Sequence, residues 1–334
     1  MAVVQISRIQ VRRGQKNQGS GVPQLSGGEF GWAVDSRELY IGNGSVAEGA
    51  PAVGNTKIIT EHDDLFTLAN TYTYLGGQTV QTGVTSTAPV KRTLQQRLDE
   101  LVSVSSFGAT GDGTDQTVAI QRAIDQLYIN SSTKGTEQSR AQLYFPPGVY
   151  KITSTLYIPP FASIVGAGKD KTKFDVTNNV IVFQTVNESS TPGNYANDSS
   201  STTLNQARQI VMKDFSVATT QTTQPVFKLQ SCKMSNFENI KISGPWTTGT
   251  TITRSNAGFE LNSLSTVVAT QENKFDHVTV DGMSVGIVSD DDVYNNHFHC
   301  SYFKNLGYGI QFGQNSSIGS QGQVTGPEKN KFGF

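Results

Sequence analysis

Six carboxylates between positions 260 and 292, Glu260, Asp276, Asp281, Asp290, Asp291 and Asp292, are the side chains best suited to acid–base work. Two carboxyl groups at a set separation can hydrolyse a glycosidic bond, one as acid and the other as base or nucleophile. A run such as Asp290-Asp291-Asp292, placed after the apolar Ile287-Val288, also suits a solvated turn at a strand end. Histidines form the second group. His297 and His299 flank Phe298, so an inward Phe298 puts both imidazoles outward on one face. Two such imidazoles can begin a metal site, but the sequence supplies no third ligand beside them, and no metal or cofactor is expected. His277 stands two positions after Phe275 and is expected on that ring's face, packed or hydrogen-bonded. Trp246, after a strand-ending Gly244 and Pro245, is expected on a loop. Phosphate-cradling loops, nucleophile elbows and paired C-x-x-C motifs are absent, and the catalytic residues stay unassigned.

The elements that would position these residues repeat. A polar residue and a Phe open each copy, alternating apolar residues follow, and a Gly often closes it. The copies start at Lys213-Asp214-Phe215, Ser235-Asn236-Phe237, Asn273-Lys274-Phe275, Asn296-His297-Phe298 and Asn330-Lys331-Phe332. Their Phe residues stand 22, 38, 23 and 34 residues apart. Solenoid coils run ~20–29 residues, so the short spacings read as single coils. The long ones read as coils with insertions, at 246–257 or 263–272 and at 313–329. Gly258-Phe259-Glu260-Leu261 and Gly286-Ile287-Val288 fit as intermediate strands. Stacked Phe rings would fill the solenoid core. The final copy ends on an opening strand, which predicts a longer natural chain or a partner covering that end.

Composition agrees with a large all-β protein. Hydrophobic residues make up 36% and charged residues 16%, yet 17 Phe and 11 Tyr argue against a disordered chain. A net charge of −1 leaves no basic excess for phosphates, so nucleic acid is not an expected partner. No run of apolar residues is long enough to span a bilayer, and no membrane insertion is expected. The first residues lack an apolar export segment, so arrival outside a cell would need another route, such as lysis. Cys232 and Cys300 are too few for a disulfide framework and read as reduced core thiols.

Toward the N-terminus the pattern changes. Val3 to Arg12 alternates as a half-buried strand, and Phe30 to Val34 and Glu38 to Ile41 form two more strands around an Asp35-Ser36-Arg37 turn. Residues 8–60 carry Arg12-Arg13-Gly14, then Pro23-Gln24-Leu25-Ser26-Gly27-Gly28-Glu29-Phe30-Gly31-Trp32-Ala33-Val34-Asp35, Leu39-Tyr40-Ile41-Gly42-Asn43-Gly44 and Gly54-Asn55-Thr56-Lys57-Ile58-Ile59-Thr60. This order of pieces resembles the N-terminal module of phage tail-fibre and receptor-binding proteins, as in the major tropism determinant family. Residues 61–101 read as a linker with a short helix over Thr93–Leu101, whose Leu94, Leu98 and Leu101 make one apolar stripe. The stripe packs on the next domain or meets two copies of itself around a three-fold axis.

From 102 a second resemblance begins. Phe107-Gly108-Ala109-Thr110-Gly111-Asp112-Gly113-Thr114-Asp115-Gln116-Thr117 leads into an amphipathic helix with Ala119, Ile120, Ala123, Ile124 and Leu127 on one side. Then come Leu143-Tyr144-Phe145-Pro146-Pro147-Gly148-Val149-Tyr150 and Leu156-Tyr157-Ile158-Pro159-Pro160. This is similar to the start of right-handed β-helices in the pectate-lyase-like superfamily, with Gln116 where a second Asp is common. An open first coil needs a cap, and the helix can supply it. Asp112 and Asp115 are then turn and capping residues, with Asp115 or Thr117 at the helix N-terminus.

The two resemblances together imply an all-β chain. A virion-docking module over 1–60 and a linker over 61–101 would precede a right-handed parallel β-helix over 102–334 with an N-terminal capping helix. The implied function is that of a homotrimeric tailspike or tail-fibre protein. It would be assembled in the host cytoplasm, joined to baseplate, tail or neck proteins through residues 1–60, and in contact with host surface polysaccharide. The alternative is a depolymerase, a glycoside hydrolase or a lyase. Lyases of the superfamily use a basic residue beside acids that hold calcium, and no such set matches here residue by residue.

Overall fold

A computed structural model describes residues 11–17, 22–44, 46–48, 54–62, 101–129, 141–196, 198–290 and 292–312, and the backbone of 331–332. The strand expected over 3–10, the helix over 93–100, the insertion at 313–329 and Asp291 lie outside the described residues. The chain divides into two compact units, Met1–Arg97 and Leu98–Phe334. Among the described residues no helix is long and apolar enough to cross a membrane.

The first unit holds a four-stranded sheet of Arg12–Gly14, Phe30–Ala33, Glu38–Gly42 and Asn55–Ile58. Arg12–Gly14 pairs in parallel with Phe30–Ala33, and the remaining pairs are antiparallel. The expected turn is present, with Arg37 at φ 55° and the Asp35 carboxylate accepting the N–H groups of Lys16 and Asn17 at 2.8 and 2.7 Å. The spaced motif residues hold one another. Asn55 accepts the Leu25 N–H at 2.9 Å and donates to the Pro23 carbonyl at 2.9 Å. Gly42 admits no side chain, because a Cβ there would stand 2.1 Å from the Ser26 carbonyl oxygen.

The second unit is a right-handed parallel β-helix. Each coil contributes to three columns of parallel strands. The first column runs through Leu101–Ser103, Gln142–Phe145, Ser163–Gly166, the starts of Val211–Thr219 and Asn236–Ser243, then Lys274–Asp276, His297–His299 and Lys331–Phe332. Leu101 therefore opens a strand rather than closing a helix. The second column includes Gly148–Ile152, Thr172–Val176, the ends of the same two long strands, Thr279–Asp281 and Tyr302–Lys304. The third comprises Leu156–Ile158, Phe183–Thr185, Phe227–Gln230, Ala257–Asn262, Val285–Ser289 and Tyr308–Phe312. Both intermediate strands expected from the sequence belong to this third column.

Side chains alternate along each strand, so one residue in two enters the core. Ile164, Met212, Phe237, Phe275 and Phe298 stack in register down the first column. Phe183, Phe227 and Phe259 stack down the third, at 4.9 and 4.7 Å between ring centroids. The register corrects the repeat alignment. Phe237 lies opposite Met212, whereas Phe215 lies opposite Ile240. That coil therefore advances 25 residues, not 22. A Phe in the second column had been matched to one in the first, because both point inward and only strand pairing tells them apart.

Two corners turn the chain between columns. Asp214, Asn239, His277 and Cys300 occupy one, with φ of 64°, 51°, 52° and 46°; Gln209, Met234, Glu272 and Asn295 occupy the other. Beside this second corner runs a buried polar ladder of Ser235, Asn273 and Asn296. The Asn273 amide donates to the Asn296 side-chain oxygen at 2.9 Å and to the Cys232 carbonyl at 2.8 Å, and accepts the Ser235 N–H at 3.0 Å.

The first coil is closed by helix α1 (Thr117–Ile124), which buries Ile120, Ala123 and Ile124 in the core. The N-cap is Gln116, without a side-chain capping bond, rather than Asp115 or Thr117; Asp115, one position earlier, accepts the Thr117 N–H at 3.1 Å and its hydroxyl at 2.7 Å as a turn residue. Asp112 accepts the Thr114 N–H at 3.0 Å, and the Gln116 amide bridges Asp112 at 2.8 Å to the Gly111 N–H at 3.0 Å. A neutral amide both donates to Asp112 and accepts from the backbone, which a second carboxylate there would not do.

Candidate functional site

Of the acids that could act together, Glu260, Asp281 and Asp290 are each engaged by a neighbour. Glu260, outward on the third column, pairs with Lys228 at 3.1 Å. Asp290, at the end of that column as expected, pairs with Arg254. Asp281 closes the second column, accepts from Asn305 at 2.7 Å and pairs with Lys304 at 3.2 Å. These contacts hold the Asp281 carboxyl below its usual range against partial desolvation. Asp292 sits at positive φ, as a turn residue.

Asp276 is different. Its Oδ1 lies 2.9 Å from His277 Nδ1 and 3.0 Å from His299 Nδ1. Partial desolvation opposes ionisation, but the His299 hydrogen bond and the charge of His277 outweigh it and hold the carboxyl below its ordinary value. His297 and His299 both point outward around buried Phe298, as alternation requires. His277 corrects its expectation: φ of 52° breaks the alternation, and the ring lies outward, 61% exposed, instead of sharing the Phe275 face. Cys300 is corrected too. Cys232 is a buried core thiol, but Cys300 is exposed because it turns the same corner.

A hollow lies where α1 meets the third column. Thr117, Gln121, Arg122, Asp125, Ser154, Tyr157 and Tyr195 are among the residues around about 490 Å³. Tyr157 and Tyr195 stack at 4.2 Å with 17° between ring planes. Asp125 fixes this arrangement by accepting the Tyr195 hydroxyl at 2.8 Å and the Gln121 amide at 2.8 Å. Gln121 in turn accepts the Tyr157 N–H at 2.8 Å, tying α1 to strand Leu156–Ile158. Burial and the neighbouring Asp125 push the Tyr195 phenol up to about 12, so it stays a donor. Aromatic face, fixed carboxylate, amide, guanidinium and hydroxyls together can bind a polyhydroxylated ligand. Trp246 borders a smaller hollow of about 260 Å³ with Thr222, Thr223, Thr250, Thr253 and Asn256. It lies on a loop as expected, half-buried rather than free in solvent.

The three-column coil and its capping helix agree with the comparison to known families. The model of the rhamnogalacturonase A/epimerase, pectate lyase-like family matches residues 101–330. The chain belongs to this family. One curated relative, a glucan 1,3-beta-glucosidase of Cochliobolus carbonum, is 39% identical over 98 residues, which are 25% of this chain and 11% of that protein. Among solved structures, ORF18 of Geobacillus virus E2 is 18% identical with a TM-score of 0.37, over 93% of this chain and 56% of that one. The N-terminal fragment of bacteriophage phi29 gene product 12 is 15% identical with a TM-score of 0.40, over 66% of this chain and 40% of that one. Tailspike protein 3 of bacteriophage CBA120 is 12% identical with a TM-score of 0.36, over 85% and 53%. This pectate lyase-like chain thus spans 11% of the curated relative's length and about half or less of these solved chains.

Sequence reasoning missed Tyr157, Tyr195 and Asp125 in this β-helix. Tyr157 was legible as a strand residue, with its outward direction implied by Leu156 and Ile158. Tyr195 lies 38 residues further on in an irregular loop, and no period predicts that it returns to the same spot.

Proposed function

We propose that this pectate lyase-like chain is a bacteriophage spike or fibre protein of the tailspike type. In this reading three copies assemble, residues 1–60 dock the trimer to baseplate, tail or neck proteins, and residues 102–334 present the β-helix to host surface polysaccharide. Residues 61–101 join the two parts, and the protein is assembled in the host cytoplasm and resides in the virion. The ordered N-terminal motif pieces support the virion location. The observation that carries the glycan contact is the hollow built on stacked Tyr157 and Tyr195 with Asp125 fixed between helix and loop. Flat aromatic faces and rigid polar groups suit sugar rings. Because Glu260, Asp281 and Asp290 are each engaged in an ion pair, the β-helix is read as holding polysaccharide rather than cutting it.

The test uses the full chain and the host's own surface polysaccharide, with binding and polymer length followed in parallel. Binding without shortening is expected. Tyr157→Ala should weaken it about tenfold, the loss of roughly 1.4 kcal/mol of ring contact. Shortening of the polymer would replace this reading with that of a depolymerase, and unsaturated ends would mark a lyase. Unchanged binding by Tyr157→Ala would remove the hollow from the argument. Light scattering should give three chains per particle, and a stable monomer would count against the fibre.

A further inference from the structure

Two successive coils bring four ligand-bearing side chains to one corner of the β-helix. On one coil they are Asp276 and His277; on the next they are His299 and Cys300. Strand pairing sets Asp276 opposite His299. The same register carries His277 opposite Cys300, and the His277 N–H donates to the His299 carbonyl at 3.1 Å. Neighbouring strands stand about 4.8 Å apart, so such pairs are held within reach of one ion.

The side-chain geometry completes what the register begins. Asp276 Oδ1 stands 2.9 and 3.0 Å from His277 Nδ1 and His299 Nδ1. Cys300 Sγ stands 3.6 Å from His299 Nε2. One ligand atom each from Asp276, His299 and Cys300 lie within 4.8 Å of one another. Four donors around a zinc-class ion at about 2.0–2.3 Å have edges of roughly 3.3–3.7 Å. His277 touches this set through Asp276, and its exposed ring must turn to supply the fourth donor.

The corner position itself adds to the argument. The two preceding corners hold Asp214 and Asn239, whose side chains hydrogen-bond each other at 2.7 Å. Short polar side chains of this kind tolerate positive φ. At 277 and 300 the sequence departs from that choice and places a histidine and a cysteine at φ 52° and 46°. Behind them Phe275 and Phe298 stack at 4.4 Å with 9° between planes, so the two rungs are rigidly spaced.

We propose that Asp276, His299 and Cys300, with His277 turning in as the fourth donor, form a binding site for a zinc-class divalent transition-metal ion, pinning two coils on their outer edge. Thiolate and imidazole select such an ion over calcium or magnesium, which take oxygen ligands. A Cys–His–Asp relay for nucleophilic catalysis fits the same atoms less well. His277 and His299 are 61% and 68% exposed, so a substrate held there would stay in water.

Cobalt(II) added to the reduced, metal-free full chain, without an affinity tag, tests the site. The expected result is one cobalt per chain, with a thiolate-to-cobalt charge-transfer band in the near ultraviolet and visible bands of a four-coordinate ion. Zinc should erase these bands by displacement. Cys300→Ser should abolish the charge-transfer band, and His299→Ala should weaken cobalt binding at least tenfold. His297→Ala, an exposed histidine on the same strand outside the cluster, should bind as the parent does. The proposal is overturned if no band appears, if the band survives Cys300→Ser, or if saturation comes at one ion per three chains. It also fails if His297→Ala and His299→Ala weaken binding equally.

Discussion

Asn273 offers a sharp test of what holds the coils together. Its side chain is fully buried and bonds to the coils on either side: the Ser235 N–H at 3.0 Å, the Cys232 carbonyl at 2.8 Å and the Asn296 side-chain oxygen at 2.9 Å. Replacement by alanine strands only one of these. The Cys232 carbonyl keeps the Gln271 N–H at 3.0 Å, and the Asn296 oxygen keeps the Asn273 N–H at 3.2 Å. The Ser235 N–H loses its acceptor, which costs about 1–3 kcal/mol, and two further bonds of roughly 1 kcal/mol each disappear. Asn273→Ala should therefore destabilise the β-helix by about 4 kcal/mol. Asn273→Asp separates hydrogen bonding from shape. A carboxylate can still accept the Ser235 N–H, but it faces two oxygens and must stay protonated to donate. Its folded pKa is then raised above the unfolded value of about 4, so below that pH the cost is only the one donor bond that a protonated carboxyl lacks relative to the amide. As pH rises the penalty grows by about 1.4 kcal/mol per unit until the folded pKa is passed. Urea unfolding of the full chain, followed by far-ultraviolet circular dichroism near pH 5 and near pH 8, reads both effects. An alanine variant within about 1 kcal/mol of the parent would refute the ladder's role. So would an aspartate variant equally impaired at both pH values.

Glu38 should make the N-terminal unit acid-sensitive. The ammonium groups of Lys16 and Lys57, with the Tyr40 and Ser36 hydroxyls, hold its carboxyl far below the ordinary range. A depressed pKa stabilises above the unfolded value and is lost as pH falls through the folded one. Protection factors of the Glu38–Gly42 amides, corrected for intrinsic exchange, should thus fall progressively below about pH 4, and Glu38→Gln should cost about 1–2 kcal/mol at neutral pH and flatten that dependence. The two thiols should also behave unlike one another: burial pushes Cys232 up to about 12, while Cys300 is exposed. A disulfide reagent should titrate one thiol in the native, metal-free chain and both after unfolding; two fast thiols in the native state would contradict the buried position.

Much of this fold was legible because it repeats. Alternation placed Phe237, Phe275 and Phe298 inward and His297 and His299 outward, and the glycine-rich stretch before Thr117 announced the capping helix. Each of these is a local consequence of backbone period or turn chemistry. Alignment of Phe215 with Phe237 failed for a related reason. Within one coil two columns carry the same alternation, and only the pairing of Phe237 with Met212 fixes the offset. His277 and Cys300 failed because one positive-φ residue reverses which face a side chain takes.

The sequence by itself thus determined the class of architecture, since solenoid coils follow from a periodic apolar pattern and a cap from an amphipathic helix. It also assigned Asp112 and Asp115 to turn work, because Thr114 and Thr117 lie two residues beyond them, while the Thr153 hydroxyl that Asp115 also accepts comes from 38 residues away. Tertiary structure alone decided which groups meet. Tyr195 reaches Tyr157 across a loop, and Asp276 reaches His299 and Cys300 across a coil of 23 residues whose length no local rule sets. Side chains brought together by strand register are neighbours in space because the backbone ladder stacks one coil on the next, and that ladder is invisible until the coils are in place.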